Sequence, residues 1–161
     1  MTKIFSADFI SDISEKAKKS KRLRQHFNIH QNYQETCQRL LNAIEPGSYI
    51  RPHRHALDPR EELLIAVRGR MAYIEFSDRG EVQDVQIFGA ERYGVTMSIG
   101  LEINPETWHT VVALEPGSML LEVKAGPFDP DMPKESAPWA PEESSDEVSI
   151  YMAQLLSLVG K

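Results

Sequence analysis

Apolar residues recur along this chain at two different periods. Near the start, Phe9, Ile10, Ile13 and Ala17 follow helical spacing, with Ser6 placed to cap the helix. Residues 21–34 keep no period and read as an irregular lead-in. From about residue 36 the texture changes. Short apolar runs over 36–44, 48–55, 62–68, 71–76, 82–88, 94–99, 101–103, 108–114 and 119–124 are broken by turn residues, which predicts a series of β-strands. Glu45-Pro46-Gly47 joins the first two, Gly69 centres a hairpin between 62–68 and 71–76, and Asp78-Arg79-Gly80 turns into 82–88. Many short strands with close turns fit a sandwich or barrel. Helical spacing returns in Val148, Tyr151, Met152, Leu155 and Val159, behind Ser144 and Glu147, which read as a capping box.

One stretch repeats. Ala43-Ile44-Glu45-Pro46-Gly47-Ser48 returns as Ala113-Leu114-Glu115-Pro116-Gly117-Ser118. Each copy ends one strand and starts another, as the two halves of a jelly roll would; a chance reuse of a good turn sequence is the alternative. Between the last strand and the final helix, residues 126–141 hold five prolines. Proline cannot donate to a ladder, so this is a crossing segment, and Phe128 and Trp139 predict that it packs on the barrel. The organisation expected is a helix and lead-in over 1–34, a barrel over 35–126 and a packing tail over 127–161, all within a single domain.

Composition narrows the function classes. The net charge is −6 over 161 residues, and the basic residues after residue 25 are scattered, which argues against a nucleic-acid partner. The cluster Lys16, Lys18, Lys19, Lys21, Arg22 and Arg24 reads first as the solvated end of a helix, and second as a docking surface for an anion. Cys37 stands alone, which fits a reducing compartment; it reads as a small buried hydrophobe in a strand. No run approaches the roughly twenty apolar residues of a membrane span, and no secretory signal is evident, so a cytoplasmic protein without a membrane partner is expected.

The chemistry lies in His53, His55, a glutamate of the next strand, and His109. Alternation on a strand points His53 and His55 the same way. Glu61 shares a face with Leu63, Ile65 and Val67, and Glu62 with Leu64, Ala66 and Arg68, so parity alone leaves either carboxylate possible. Three imidazoles and a carboxylate suit one divalent transition metal such as zinc, iron, manganese or nickel. Trp108 alternates away from His109 and reads as packing. Arg51 falls on the face of His53, and Glu122 and Lys124 share one face of a late strand. His26 reads as a surface residue. No P-loop, dinucleotide glycine motif or nucleophile elbow is present.

The spacing Gly47, His53, His55, Glu62, Gly69 resembles the first motif of the cupin superfamily, with six residues rather than three or four between His55 and Glu62. Of the second motif His109 is kept, while Asn104, Glu106 and Ala113 stand at its proline, glycine and asparagine positions. From about residue 20 to residue 143 the chain resembles more narrowly the WbuC-type cupin-fold metalloproteins. The stretches that carry this are 39–47, 51–55, 108–117, Glu122-Val123-Lys124, Gly126-Pro127 and 137–142, with Asn28 and His30 ahead of the first strand. The resemblance implies an all-β fold, a small cupin jelly-roll β-barrel with short N-terminal and C-terminal helices. It selects Glu62 as the carboxylate ligand, with His53, His55 and His109, and brings His30 and Asn28 toward the site.

That family is linked to bacterial surface-polysaccharide gene clusters. The expected function is accordingly a metal-dependent isomerase or epimerase on a small polar, sugar-like molecule, with Glu122, His30 and Arg51 as the residues nearest the chemistry. An iron-dependent dioxygenase and a non-catalytic metal or sugar-binding module are the alternatives. The apolar stripe of the last helix suits core packing or a homodimer contact.

Overall fold

The computed structural model describes residues 2–90, 97–132 and 134–159. They form two helices, α1 (Ala7–Lys19) and α2 (Val148–Leu158), and ten strands. The strands are β1 (Arg24–Asn28), β2 (Cys37–Ile44), β3 (His53–Arg54), β4 (Glu62–Arg68), β5 (Arg70–Phe76), β6 (Val82–Gly89), β7 (Gly100–Ile103), β8 (Trp108–Ala113), β9 (Ser118–Ala125) and β10 (Glu135–Ser136). They make two five-stranded sheets, in the orders β1-β2-β9-β4-β7 and β10-β3-β8-β5-β6. This is the jelly-roll arrangement expected of a cupin, mostly β with two short helices.

Side-chain alternation places three apolar clusters. Facing inward, Ile44, Leu64, Ala66, Met71, Tyr73, Val111, Ala113 and Leu120 fill the barrel. The opposite face of β2 and β9 turns Leu41, Ala43 and Met119 outward, where Ile13 and Ala17 of α1 cover them. The outer face of the second sheet offers Ile74, Phe76, Trp108 and Val112 to Ala137, Ala140, Met152 and Leu155 of the tail. Every residue of β8 is therefore buried, and Trp108 packs away from His109 as parity requires. Ser6 caps α1, accepting from the backbone N–H of Phe9 at 3.2 Å.

Several expected boundaries move. The lead-in 21–34 contains β1, which pairs with β2 from Arg24↔Ile44 to Asn28↔Leu40. Of the strand expected over 48–55 only His53–Arg54 joins a ladder; Pro52 has no N–H to give. The hairpin expected around Gly69 is a corner instead. β4 pairs with β7 and β9 while β5 pairs with β6 and β8, so the chain crosses between sheets there. Gly69 sits at φ +77, and a Cβ on it would lie 2.8 Å from Ser118 Cα. Of the strand expected over 94–99, residues 94–96 lie outside the described residues, and the ladder begins at Gly100. Cys37 is exposed, not buried. It shares the outward face of β2 with Leu41 and Ala43 but lies beyond the part that α1 covers. The box expected from Ser144 and Glu147 does not form; α2 starts at Val148, with no side-chain cap bond from Glu147.

The repeated turn is structural. Gly47 and Gly117 both take positive φ, +90 and +72. Ser48 and Ser118 each donate a backbone N–H to the carbonyl of the turn's glutamate, at 3.0 and 3.3 Å. The two turns also touch, since the Glu45 carboxylate accepts from Gly117 N–H at 3.0 Å. The proline-rich tail lies on the barrel: Trp139 packs on Phe76 at 4.9 Å between ring centroids, and Tyr49 Oη donates to the Pro141 carbonyl at 2.8 Å.

Candidate metal centre

Each inward-facing row of the barrel changes character along its strand. β4 runs Glu62, Leu64, Ala66; β8 runs His109, Val111, Ala113; β9 runs Leu120, Glu122, Lys124; β2 runs Leu40, Asn42, Ile44. The antiparallel registers Glu62↔Lys124 and His53↔His109 bring the polar members to one end of the interior. The apolar members fill the other end. One end of the barrel is thus a core and the other a polar cavity.

At that end His53, His55, Glu62 and His109 converge, each offering one ligand atom, with these atoms within 4.8 Å of one another. The packing of Leu64 and Ala66 in the barrel turns Glu62, 5% exposed, inward and leaves Glu61 on the surface. His53 and His109 are 7% and 2% exposed. Second contacts orient the rings. His53 Nδ1 lies 3.0 Å from the Arg51 carbonyl, and His109 Nδ1 lies 2.9 Å from the Thr107 carbonyl. A carbonyl only accepts, so each Nδ1 carries the proton and each Nε2 presents a bare lone pair.

The donor set fits a cation. Glu62 Oε2 stands 3.4 Å from both His55 Nε2 and His109 Nε2. His55 Nε2 is buried with no hydrogen-bond partner. Burial holds the His53 ring well below the ordinary histidine value, so it stays neutral. Three imidazole nitrogens and a buried carboxylate facing one another form a donor set that a divalent metal such as zinc, iron, manganese or nickel would satisfy.

Two overlapping lobes of cavity adjoin the four ligands. One, of about 280 Å³, is lined by the tetrad with Asn42, Glu122 and Lys134. The other, of about 380 Å³, extends from His55, Glu122 and Lys134 to His30, Asn28 and Lys124. Burial, reinforced by the charge of Glu62, pushes the Glu122 carboxyl well above the usual range. Burial lowers both Lys124 and Lys134 below the ordinary lysine value.

Glu122, His30 and Asn28 therefore share the cavity, and His26, expected on the surface, lies at its rim. Arg51 does not reach it. Its guanidinium donates to the Ala137 carbonyl at 2.9 Å and approaches Glu142 at 3.9 Å. Strand alternation had placed Arg51 with His53, but β3 begins only at His53, so that alternation does not extend back to it. Lys134 and Asn42 belong to the cavity and carry no sequence motif. Asn42 is visible only from the inward parity of β2; Lys134 stands among prolines where no period operates.

Fold and site together define a cupin-fold protein with a His-His-Glu-His group that could hold a metal. The chain belongs to the family described as Domain of unknown function (DUF6016), whose profile matches residues 5–88. Among solved structures it is similar to protein SO0799 from Shewanella oneidensis, at 12% identity over 84% of this chain and 82% of that one, with a TM-score of 0.56. It is also similar to Rru_A2000 from Rhodospirillum rubrum, a cupin-2 domain, at 13% identity over 82% and 79%, with a TM-score of 0.51. A mutant of Bacillus subtilis oxalate decarboxylase OxdC matches at 14% identity and TM-score 0.51, over 70% of this chain but 27% of that one. These likenesses carry the fold. No curated protein matches the chain. Among the described residues no helix is long and apolar enough to cross a membrane.

Proposed function

We propose that the protein is a metal-dependent isomerase or epimerase acting on a small, polar, sugar-like metabolite. The observation that carries this reading is the position of Glu122. It opens onto the same cavity as the four ligands, beside Glu62, without belonging to the ligand set. Where bound, a divalent ion supplies Lewis acidity toward a carbonyl or hydroxyl oxygen. Glu122 is then the group placed to donate a proton to the substrate and to take one back at a neighbouring position. Its raised affinity for a proton favours the donor form. Asn42 and His30, which each keep one buried polar atom unpartnered, offer directional hydrogen bonds to hydroxyl groups. The resemblance to WbuC-type proteins supports a sugar-like substrate, by association with polysaccharide gene clusters alone.

The test pairs two variants. His53→Ala should lose metal and turnover together. Glu122→Gln should keep the metal and lose turnover, followed by NMR on a panel of sugars and sugar acids. Loss of metal from Glu122→Gln would make Glu122 a support for Glu62. Iron accompanied by oxygen consumption would replace this reading with a dioxygenase, and a loaded protein with no turnover would leave a binding module.

A further inference from the structure

Two lysines open onto the cavity. Lys124 is 9% exposed. Lys134 is exposed and lines both lobes of the cavity. Among the described residues neither ammonium makes a hydrogen bond or an ion pair within 4.0 Å, whereas Arg22 and Arg24, the other lysine or arginine side chains at the cavity wall, are held by Glu143 at 2.8 and 2.6 Å. His30 is 6% exposed; its Nδ1 lies 2.9 Å from the Arg39 carbonyl and its Nε2 has no partner.

The charges do not balance once a metal is present. Even with Glu62 and Glu122 both counted as ionised, the two lysines offset them, and with Glu122 protonated the balance is already positive; a divalent ion adds two further positive charges inside a low-dielectric wall. A buried charge needs a partner. Glu62 is turned toward the imidazoles and is committed there. The surplus lies in the lobe beyond Glu122, away from the apolar core.

We propose that this lobe is a carboxylate subsite, in which Lys134, with Lys124 and His30, holds the anionic end of a sugar acid whose other end faces the four ligands. The inference deepens the functional reading above and relies on it for the metal, but on no reaction. Leu40, Ala125, Tyr33 and Phe128 complete the lobe and supply an apolar surface for the body of the ligand. An uncharged sugar would leave that positive surplus uncompensated, so the site should discriminate by charge.

The experiment is calorimetric titration of the full-length, metal-loaded protein with D-glucuronate, and with D-glucose as its uncharged match. Metal content is measured for every sample. Wild type should bind glucuronate saturably, and glucose about tenfold more weakly or worse. Lys134→Gln should weaken glucuronate about tenfold or more and leave glucose and metal content unchanged. Lys134→Arg should recover most of the affinity. Equal affinity for the two sugars, no saturable glucuronate binding, or a Lys134→Gln protein within about twofold of wild type would overturn the subsite. Charge preference without turnover on any sugar acid would sustain the subsite and sink the catalytic reading. The same preference in a protein that takes up no metal would sink the metal reading instead.

Discussion

Replacing Trp139 by alanine tests whether the tail is part of the barrel and of its site. The indole packs on Phe76 at 4.9 Å and on Trp108 at 6.2 Å between ring centroids. It also lies over Gly80, where an added Cβ would come within 2.6 Å of the ring. Removing a fully buried tryptophan costs about 3–5 kcal/mol. Trp139 is half-buried, and its Nε1 is enclosed without a partner, which offsets part of that burial. The expected loss is about 2–3 kcal/mol, or about 5–10 °C in Tm for a domain of this size. A second readout follows from the ladder. β10 pairs Ser136 with His53, so β3, only two residues long, is held between β10 and β8. Loosening the tail should weaken metal binding as well, seen as a rise in the dissociation constant by competition with a chelator. Thermal unfolding and chelator competition on wild type and Trp139→Ala suffice. An unchanged Tm with unchanged metal affinity would refute the reasoning, as would proteolysis that removes residues 127–159 while the rest stays folded.

Gly69→Ala should lower stability by about 2–3 kcal/mol in chemical denaturation, since it meets both the positive φ and the Ser118 backbone. Burial pushes the Glu143 carboxyl up, but Arg22 and Arg24 outweigh it and hold it below the usual value of 4.5. Its contribution is therefore present above about pH 4.5 and is lost as pH falls through the lower folded value. Glu143→Gln should remove about 0.5–1 kcal/mol at pH 7 and flatten the acid limb of a stability–pH curve. Removing metal with a chelator should lower the Tm, because an ion bound only by the folded state stabilises it, by about 2.7 kcal/mol at a hundredfold excess over Kd.

The metal group was legible because its residues keep a strand's period. His53 and His55 lie two apart, and the resemblance supplied Glu62 and His109 at a distance no local pattern could bridge. Parity could not choose between Glu61 and Glu62, since both faces of β4 carry apolar residues; the choice emerges from Leu64 and Ala66 packing in the barrel. The failures share a cause. The sequence around Gly69 predicts a hairpin because strand runs say nothing about which sheet each joins. The expectation for Arg51 extends an alternation past Pro52, where the ladder has not begun. Residue type alone predicts a buried Cys37, but coverage depends on where α1 lies, and Cys37 is exposed. Lys134 carries no sequence signal because a proline-rich segment has no period, and only the tertiary placement of the tail brings it to the cavity that Glu122 lines.

The central claim is that four side chains from separate strands and loops form one metal site. Metal content by elemental analysis, joined to X-ray absorption on the same anaerobically purified sample, tests it most directly. The account predicts about one divalent transition metal per chain, with nitrogen and oxygen neighbours at about 2.0–2.3 Å and no sulfur, lost in both His55→Ala and Glu62→Gln. A wild-type protein that neither retains nor takes up such a metal, or one whose metal survives both substitutions, would contradict it.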